Sequence, residues 1–220
     1  MIDGPRLPPA NGGPARKLVV FLHGYGADGN DLIDLGRMFA PILPDTAFVS
    51  PHAPDPCDQA PMGRQWFPLA LGDMHAYWRG VEHAAPKLQA FLDAELARLG
   101  LADRDLALVG FSQGTMMSLH TGLRRKIAPK AIVGYSGMFI MPNDGPPETV
   151  ENEITARPPV LLIHGDRDEL IPVQALFHAS SSLQALDVPV EWHISHGIGH
   201  GIDQEGLRHG GEFLARRFGL

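Results

Sequence analysis

The chain has 220 residues, of which 44% are hydrophobic, and 18 lysines and arginines against 25 acidic residues leave a formal net charge of −7. This is the length of one domain with ample apolar material for a core, which excludes a disordered chain. The acidic balance gives no basic stripe of the kind that nucleic-acid binding needs.

Pro and Gly, at 20 and 25, promise many tight turns. Cys57 is the one cysteine, so no internal disulfide forms. The opening MIDGPRLPPANGGP has no apolar targeting region, and no stretch is long enough to span a bilayer. The expectation is a cytoplasmic protein without stable membrane insertion. Arg124-Arg125 and Arg216-Arg217 lie near helix ends, where contact with a helix dipole accounts for them. The excess of arginine over lysine and the abundant alanine point to a GC-rich genome.

In chain order, residues 1–16 read as an irregular lead-in and residues 17–220 as a single α/β domain. KLVVFLHG is a buried strand running into a glycine turn. TAFVS at 46, LALVGF at 106, KAIVGYS at 130, PVLLIHG at 159 and VEWHIS at 190 are further strands. Continuous runs rich in Val, Ile and Leu suit a parallel sheet covered on both faces. Helices fill the gaps. One starts at Asn30, with Leu32, Leu35 and Phe39 on one face. A second spans Ala84 to Leu99, with Gly100 as its C-cap. A third follows GFSQG, and PVQALFHASSSLQAL and DQEGLRHGGEFLARRF supply two more, the last weakened by Gly210 and Gly211. Strands alternating with helices define a doubly wound α/β fold. The proline-rich stretch 51–73 is long for an ordinary connection and reads as a functional loop beside a site.

GFSQG, residues 110–114, follows a strand and precedes a helix. In that context GxSxG is a nucleophile elbow, with small residues two positions either side of Ser112 so that the sharp turn can close. In the order nucleophile, acid, base, the acid comes from GDRD. Asp168 is preferred, and Asp166 is left to brace the turn through backbone hydrogen bonds. EWHISHGIGHGI offers His193, His196 and His200 as base. His193 lies in the strand and points sideways, whereas His200 stands immediately before the last helix and is preferred. These three histidines do not complete a convincing metal-ligand set, so no metal or cofactor is expected. The N–H groups of Tyr25, in FLHGYGADG, and of Gln113 supply an oxyanion hole. His23 shapes that loop rather than transferring protons. Trp66, Phe67, Leu69 and Leu71 either line an apolar acyl groove or pack as core under the loop.

FLHGYGADG, SPHAP, the Trp66-Phe67 pair, GFSQG, HGDRDELIP and Gly199-His200 come in an order and approximate spacing that resemble the phospholipase/carboxylesterase family of α/β hydrolases. That group includes acyl-protein thioesterases and bacterial carboxylesterases, and the likeness covers nearly the whole chain after residue 16. It implies a nucleophile at Ser112, an acid at Asp168, a base at His200 and oxyanion donors on Tyr25 and Gln113. Two positions depart from the family pattern. Thr115 stands where a further glycine is frequent, and Tyr25 where leucine or phenylalanine is also common.

The expected activity is hydrolysis of short- to medium-chain carboxylic esters through an acyl-enzyme. Lysophospholipids and acyl-protein thioesters use the same machinery and stand as alternatives, as does a catalytically silent binding protein that keeps the fold. A dienelactone-hydrolase-like role is disfavoured because position 112 is serine and Cys57 lies outside the elbow. The expected partner is a small ester substrate. A homodimer through an apolar surface is open, but the sequence does not locate one.

Overall fold

The apolar runs pair side by side as expected. The structure, a computed structural model, describes residues 2–70, 72–142 and 146–220. Among these, the strands are β1 (Arg6–Leu7), β2 (Lys17–Leu22), β3 (Thr46–Val49), β4 (Asp55–Pro56), β5 (Arg64–Gln65), β6 (Leu106–Phe111), β7 (Ala131–Tyr135), β8 (Val160–Gly165) and β9 (Val190–Ser195). Seven of them form one sheet in the order β1-β3-β2-β6-β7-β8-β9, with β4 and β5 paired separately. All neighbours in the large sheet run parallel except β1, which is antiparallel to β3.

Among the described residues, five α-helices cover both faces: α1 (Gly29–Phe39), α2 (Met74–Leu99), α3 (Gln113–Gly122), α4 (Gln174–Ala185) and α5 (Gln204–Phe218). Because side chains alternate along a strand, each strand feeds two cores. Leu18, Val20 and Leu22 of β2 join the side chains of α2, α3 and α4. Val19 and Phe21 face α1 and α5, with Leu32, Phe39, Phe213 and Leu214. The apolar runs are continuous because both faces are covered.

Three elements differ from their sequence reading. Residues 3–16 are tied along the sheet edge rather than free. Ser50 N–H donates to Pro5 O at 3.0 Å and His52 N–H to Asp3 O at 2.8 Å. Arg6, in β1, also pairs with the buried carboxylate of Glu95 at 2.6 Å. Secondly, α2 starts at Met74, ten residues before the expected Ala84, with the Asp73 side chain accepting from Ala76 N–H at 2.9 Å. The helix carries Pro86 in its interior, where a proline costs one hydrogen bond and crowds the preceding turn. Burial of Tyr77, Trp78 and Val81 ahead of it, and of Leu88, Phe91 and Leu92 beyond it, holds the helix through that defect. Finally, Gly210 does not weaken α5 without return. A Cβ there would collide with the Tyr135 hydroxyl, so the glycine lets the helix lie against β7.

No helix among the described residues is long and apolar enough to cross a membrane.

Candidate active site

The chain runs from β2 to β3 on one side and later to β6 on the other, so strand order reverses between β2 and β6. Loops leaving two such strands diverge and open a crevice at their carboxyl ends. FLHGYGADG leaves β2 at this point and GFSQG leaves β6.

Ser112 sits in the left-handed region at φ 53° and ψ −115°. A non-glycine residue held there stores about 1–3 kcal/mol, which the surroundings must offset. Ser112 N–H donates to Tyr135 O at 2.9 Å, tying the turn to the end of β7. Thr115 reinforces it, since its hydroxyl lies 2.9 Å from Gly110 O and 2.8 Å from Tyr135 O. Here a threonine does what the more frequent glycine could not, by bridging the ends of β6 and β7. The flanking glycines are steric requirements. A Cβ on Gly110 would strike the Gly114 carbonyl, and one on Gly114 would strike Leu22 O of β2. Gly24 runs close by, its virtual Cβ only 3.4 Å from Ser112 Cβ, which brings the loop after β2 beside the elbow.

His200 Nδ1 donates to Asp168 Oδ2 at 2.7 Å, both groups being largely buried. An ionised carboxylate only accepts, so this bond fixes the tautomer and leaves Nε2 with its lone pair. The imidazole packs on Phe111, the residue before Ser112, at a centroid separation of 5.0 Å. Asp168 is held from its other oxygen, as Oδ1 accepts from Leu170 and Ile171 N–H, each at 2.9 Å. His164 adds a further contact. Its Nε2 donates to Ile171 O at 2.7 Å and lies 3.2 Å from Asp168 Oδ2. The loop bearing His200 is steadied by Ser136, whose hydroxyl donates to Gly201 O at 3.3 Å.

The alternative acid and base also meet, but elsewhere. His196 Nδ1 donates to Asp166 Oδ2 at 2.9 Å, and Gly197 N–H donates to Oδ1 at 2.7 Å. Asp166 therefore braces the loop after β9. His196 hydrogen bonding lowers its carboxyl below the usual range, with the Gly197 bond acting in the same direction. His193 points to α5, its ring 4.2 Å from that of His209 between centroids.

Gln113 opens α3, where the first backbone N–H groups have no partner within the helix. Its buried side chain has a separate task. Trp66 N–H donates to Gln113 Oε1 at 2.8 Å, and Gln113 Nε2 donates to Phe67 O at 2.8 Å. Trp66 Nε1 donates to His23 O at 3.0 Å. These bonds draw the loop inward, and of the two readings left open, groove lining or core, Trp66 and Phe67 take the core: they are 0% and 1% exposed. Phe67 lies on the backbone of α2 at Gly80, whose virtual Cβ would sit 2.6 Å from its ring. Leu69 is half-buried against the same core. Leu71 lies outside the described residues.

His23 is wholly buried and has no carboxylate partner. Ala53 N–H donates to its Nε2 at 2.9 Å, so the proton is on Nδ1, which donates to Gly24 O at 2.7 Å. Burial lowers its pKa to about 4 and keeps the ring neutral. It is a fixed brace between two loops, as expected from the sequence.

The side-chain work of Gln113, His164 and Ser136 was missed in the sequence reading. For His164 there was a signal: a polar residue at the end of an apolar strand, four positions before Asp168.

The sequence profile of the phospholipase/carboxylesterase family matches residues 9–217. Esterase PE8, a solved structure, is 46% identical and superposes with a TM-score of 0.92 over 98% of each chain. Esterase YpfH of Escherichia coli is 28% identical over 200 residues, 89% of this chain and 80% of that protein. Acyl-protein thioesterase 1 of Gibberella zeae is 25% identical over 210 residues, covering 90% and 89% respectively. A profile match along almost the whole chain, joined to this sheet order, places the protein in the phospholipase/carboxylesterase family of α/β hydrolases, as a hydrolase acting on esters.

Proposed function

We propose that the protein is a serine carboxylesterase that cleaves short- to medium-chain carboxylic esters through an acyl-enzyme on Ser112. The observation that carries this reading is the strained Ser112 turn beside a buried His200–Asp168 pair at 2.7 Å. His200 Nε2 takes the Ser112 proton as Oγ attacks the ester carbonyl. Asp168 keeps the imidazole in the required tautomer and stabilises it when it becomes charged. The oxygen of the tetrahedral intermediate is met by the N–H groups of Tyr25 and Gln113, and losing one such donor typically costs about 3 kcal/mol of transition-state stabilisation. The alcohol leaves with the proton from His200. Water then attacks the acyl-enzyme by the same steps in reverse.

The size limit on the acyl chain follows from the loop. With Trp66 and Phe67 in the core, neither ring is left to line a long acyl groove, which favours short and medium chains over long ones. The named thioesterase relative supports a second reading, in which long-chain acyl thioesters or lysophospholipids are the substrates.

The test is kcat/KM on p-nitrophenyl esters from acetate to palmitate, with Ser112→Ala as control. A peak at short or medium chains that vanishes in the variant is the expected result; a rise towards palmitate selects the second reading. If folded wild-type protein neither turns over nor reacts with a fluorophosphonate at Ser112, the chain is a silent binding protein.

A further inference from the structure

Strand β9 carries three polar side chains at alternate positions towards α5. Glu191 pairs with Arg216 and Arg217, and Ser195 donates to Asp203 Oδ1 at 2.7 Å. The third, His193, has neither kind of partner. Its Nε2 is buried and without a hydrogen bond among the described residues. Facing it, Glu205 and His209 stand one turn apart on α5, the spacing that puts two side chains on one helix face. The His193 and His209 rings lie 4.2 Å apart between centroids, and His209 Nε2 is 3.8 Å from Glu205 Oε1. One ligand atom from each of His193, Glu205 and His209 falls within 4.8 Å of the others.

We propose that His193, Glu205 and His209 bind a divalent transition-metal ion of the zinc class. Two imidazoles and one carboxylate form a donor set suited to such ions, with water completing a tetrahedron. Ligand bonds near 2 Å place tetrahedral donors about 3.3 Å apart. Closing from 4.8 Å therefore asks for a modest rotamer change, which Glu205, exposed on the helix, and half-buried His209 can make towards His193. The opposing charge is Arg208, whose Nη2 lies 3.3 Å from His209 Nε2. That guanidinium also holds Glu212 at 2.7 Å, so it has an alternative partner when a metal displaces it.

The ion would join β9 directly to α5, across the loop that carries His200. It would stabilise the fold by binding the native state and not the unfolded one.

Isothermal titration of the purified full chain with Zn²⁺ tests this, with Co²⁺ absorption reporting coordination geometry. Wild type is expected to bind one Zn²⁺, with a rise in Tm and a tetrahedral Co²⁺ spectrum. His209→Ala and Glu205→Gln, both on the helix surface, are expected to weaken binding about tenfold or more while keeping esterase activity. Failure of wild type to bind up to millimolar metal would overturn the proposal. So would Zn²⁺ binding that is unchanged in His209→Ala and in His193→Ala.

Discussion

The loops after β8 and β9 contribute two histidine–aspartate pairs of the same composition and similar length, 2.7 Å for His200–Asp168 and 2.9 Å for His196–Asp166. Their surroundings differ. The side chains of Asp168 and His200 are 0% and 16% exposed, whereas those of Asp166 and His196 are 34% and 85% exposed. Asp168 is gripped by two backbone N–H groups and approached by His164, and His200 rests on Phe111 beside the elbow. Asp166 receives one backbone N–H, and His196 projects into water. A hydrogen bond of good length does not make an acid–base pair useful. It must also be shielded from water, where charge interactions weaken, and be aimed at a nucleophile.

The largest expected effect separates the two bases. His200→Ala is expected to lower kcat by about 10⁶-fold on a p-nitrophenyl ester, as removal of a triad base does elsewhere. His196→Ala should stay within about twofold, the range expected of a solvated surface group. Comparable losses in both variants would end the distinction drawn between the pairs.

The acids come next. Asp168→Asn keeps the shape of the side chain but presents a donor as well as an acceptor to His200, and a fall of about 10⁴ in kcat is expected. Asp166→Asn retains an oxygen for Gly197 N–H and should leave turnover nearly intact; its measurable effect is confined to the pH dependence of the surface pair.

His23 sharpens the comparison from a third side, being buried with no acid at all. Its folded pKa of about 4 lies below the ordinary histidine value of 6.5, so below pH 6.5 the unfolded chain binds the proton that the folded chain refuses. Stability is therefore complete above pH 6.5 and is lost as the pH falls towards 4. By linkage the loss at pH 5 is about 2 kcal/mol. Urea unfolding of wild type and His23→Gln at pH 7 and pH 5 measures it, and equal pH dependence in the two proteins would remove His23 as the cause.

Among the residues expected to lower turnover, His164 has the smallest effect. Its change to Gln should lower kcat about tenfold with KM little altered, because Asp168 keeps its two backbone donors and loses only a nearby imidazole. An effect as large as that of Asp168→Asn would mean that His164 does more than position the acid.

Most of the sheet was legible from the sequence because buried parallel strands are written as uninterrupted runs such as VLLIHG and LALVGF. The Ser112 turn and the His200–Asp168 contact were legible because their residues follow those strands directly, where local order and spatial order coincide. The start of α2 was hidden by Pro86 and Gly80, residues that weaken a helix in isolation and are tolerated here through contacts with distant loops. Strand β1 was hidden because two residues carry no periodicity. The burial of Trp66 and Phe67 was undecidable locally. It is settled by Gln113, 46 and 47 positions away in the chain, and by the bare backbone of Gly80.

The Gln113 clamp has a consequence for anyone redesigning substrate range. One residue adjoins Ser112 through its main chain and anchors residues 66 and 67 through its amide, so the segment that carries them is not an independent module. A library that varies its surface positions can explore new acyl preferences. A transplanted loop whose backbone fails to present an N–H and a carbonyl at positions 66 and 67 would strand a buried amide on the residue next to Ser112, and the elbow and the loop would be disturbed together.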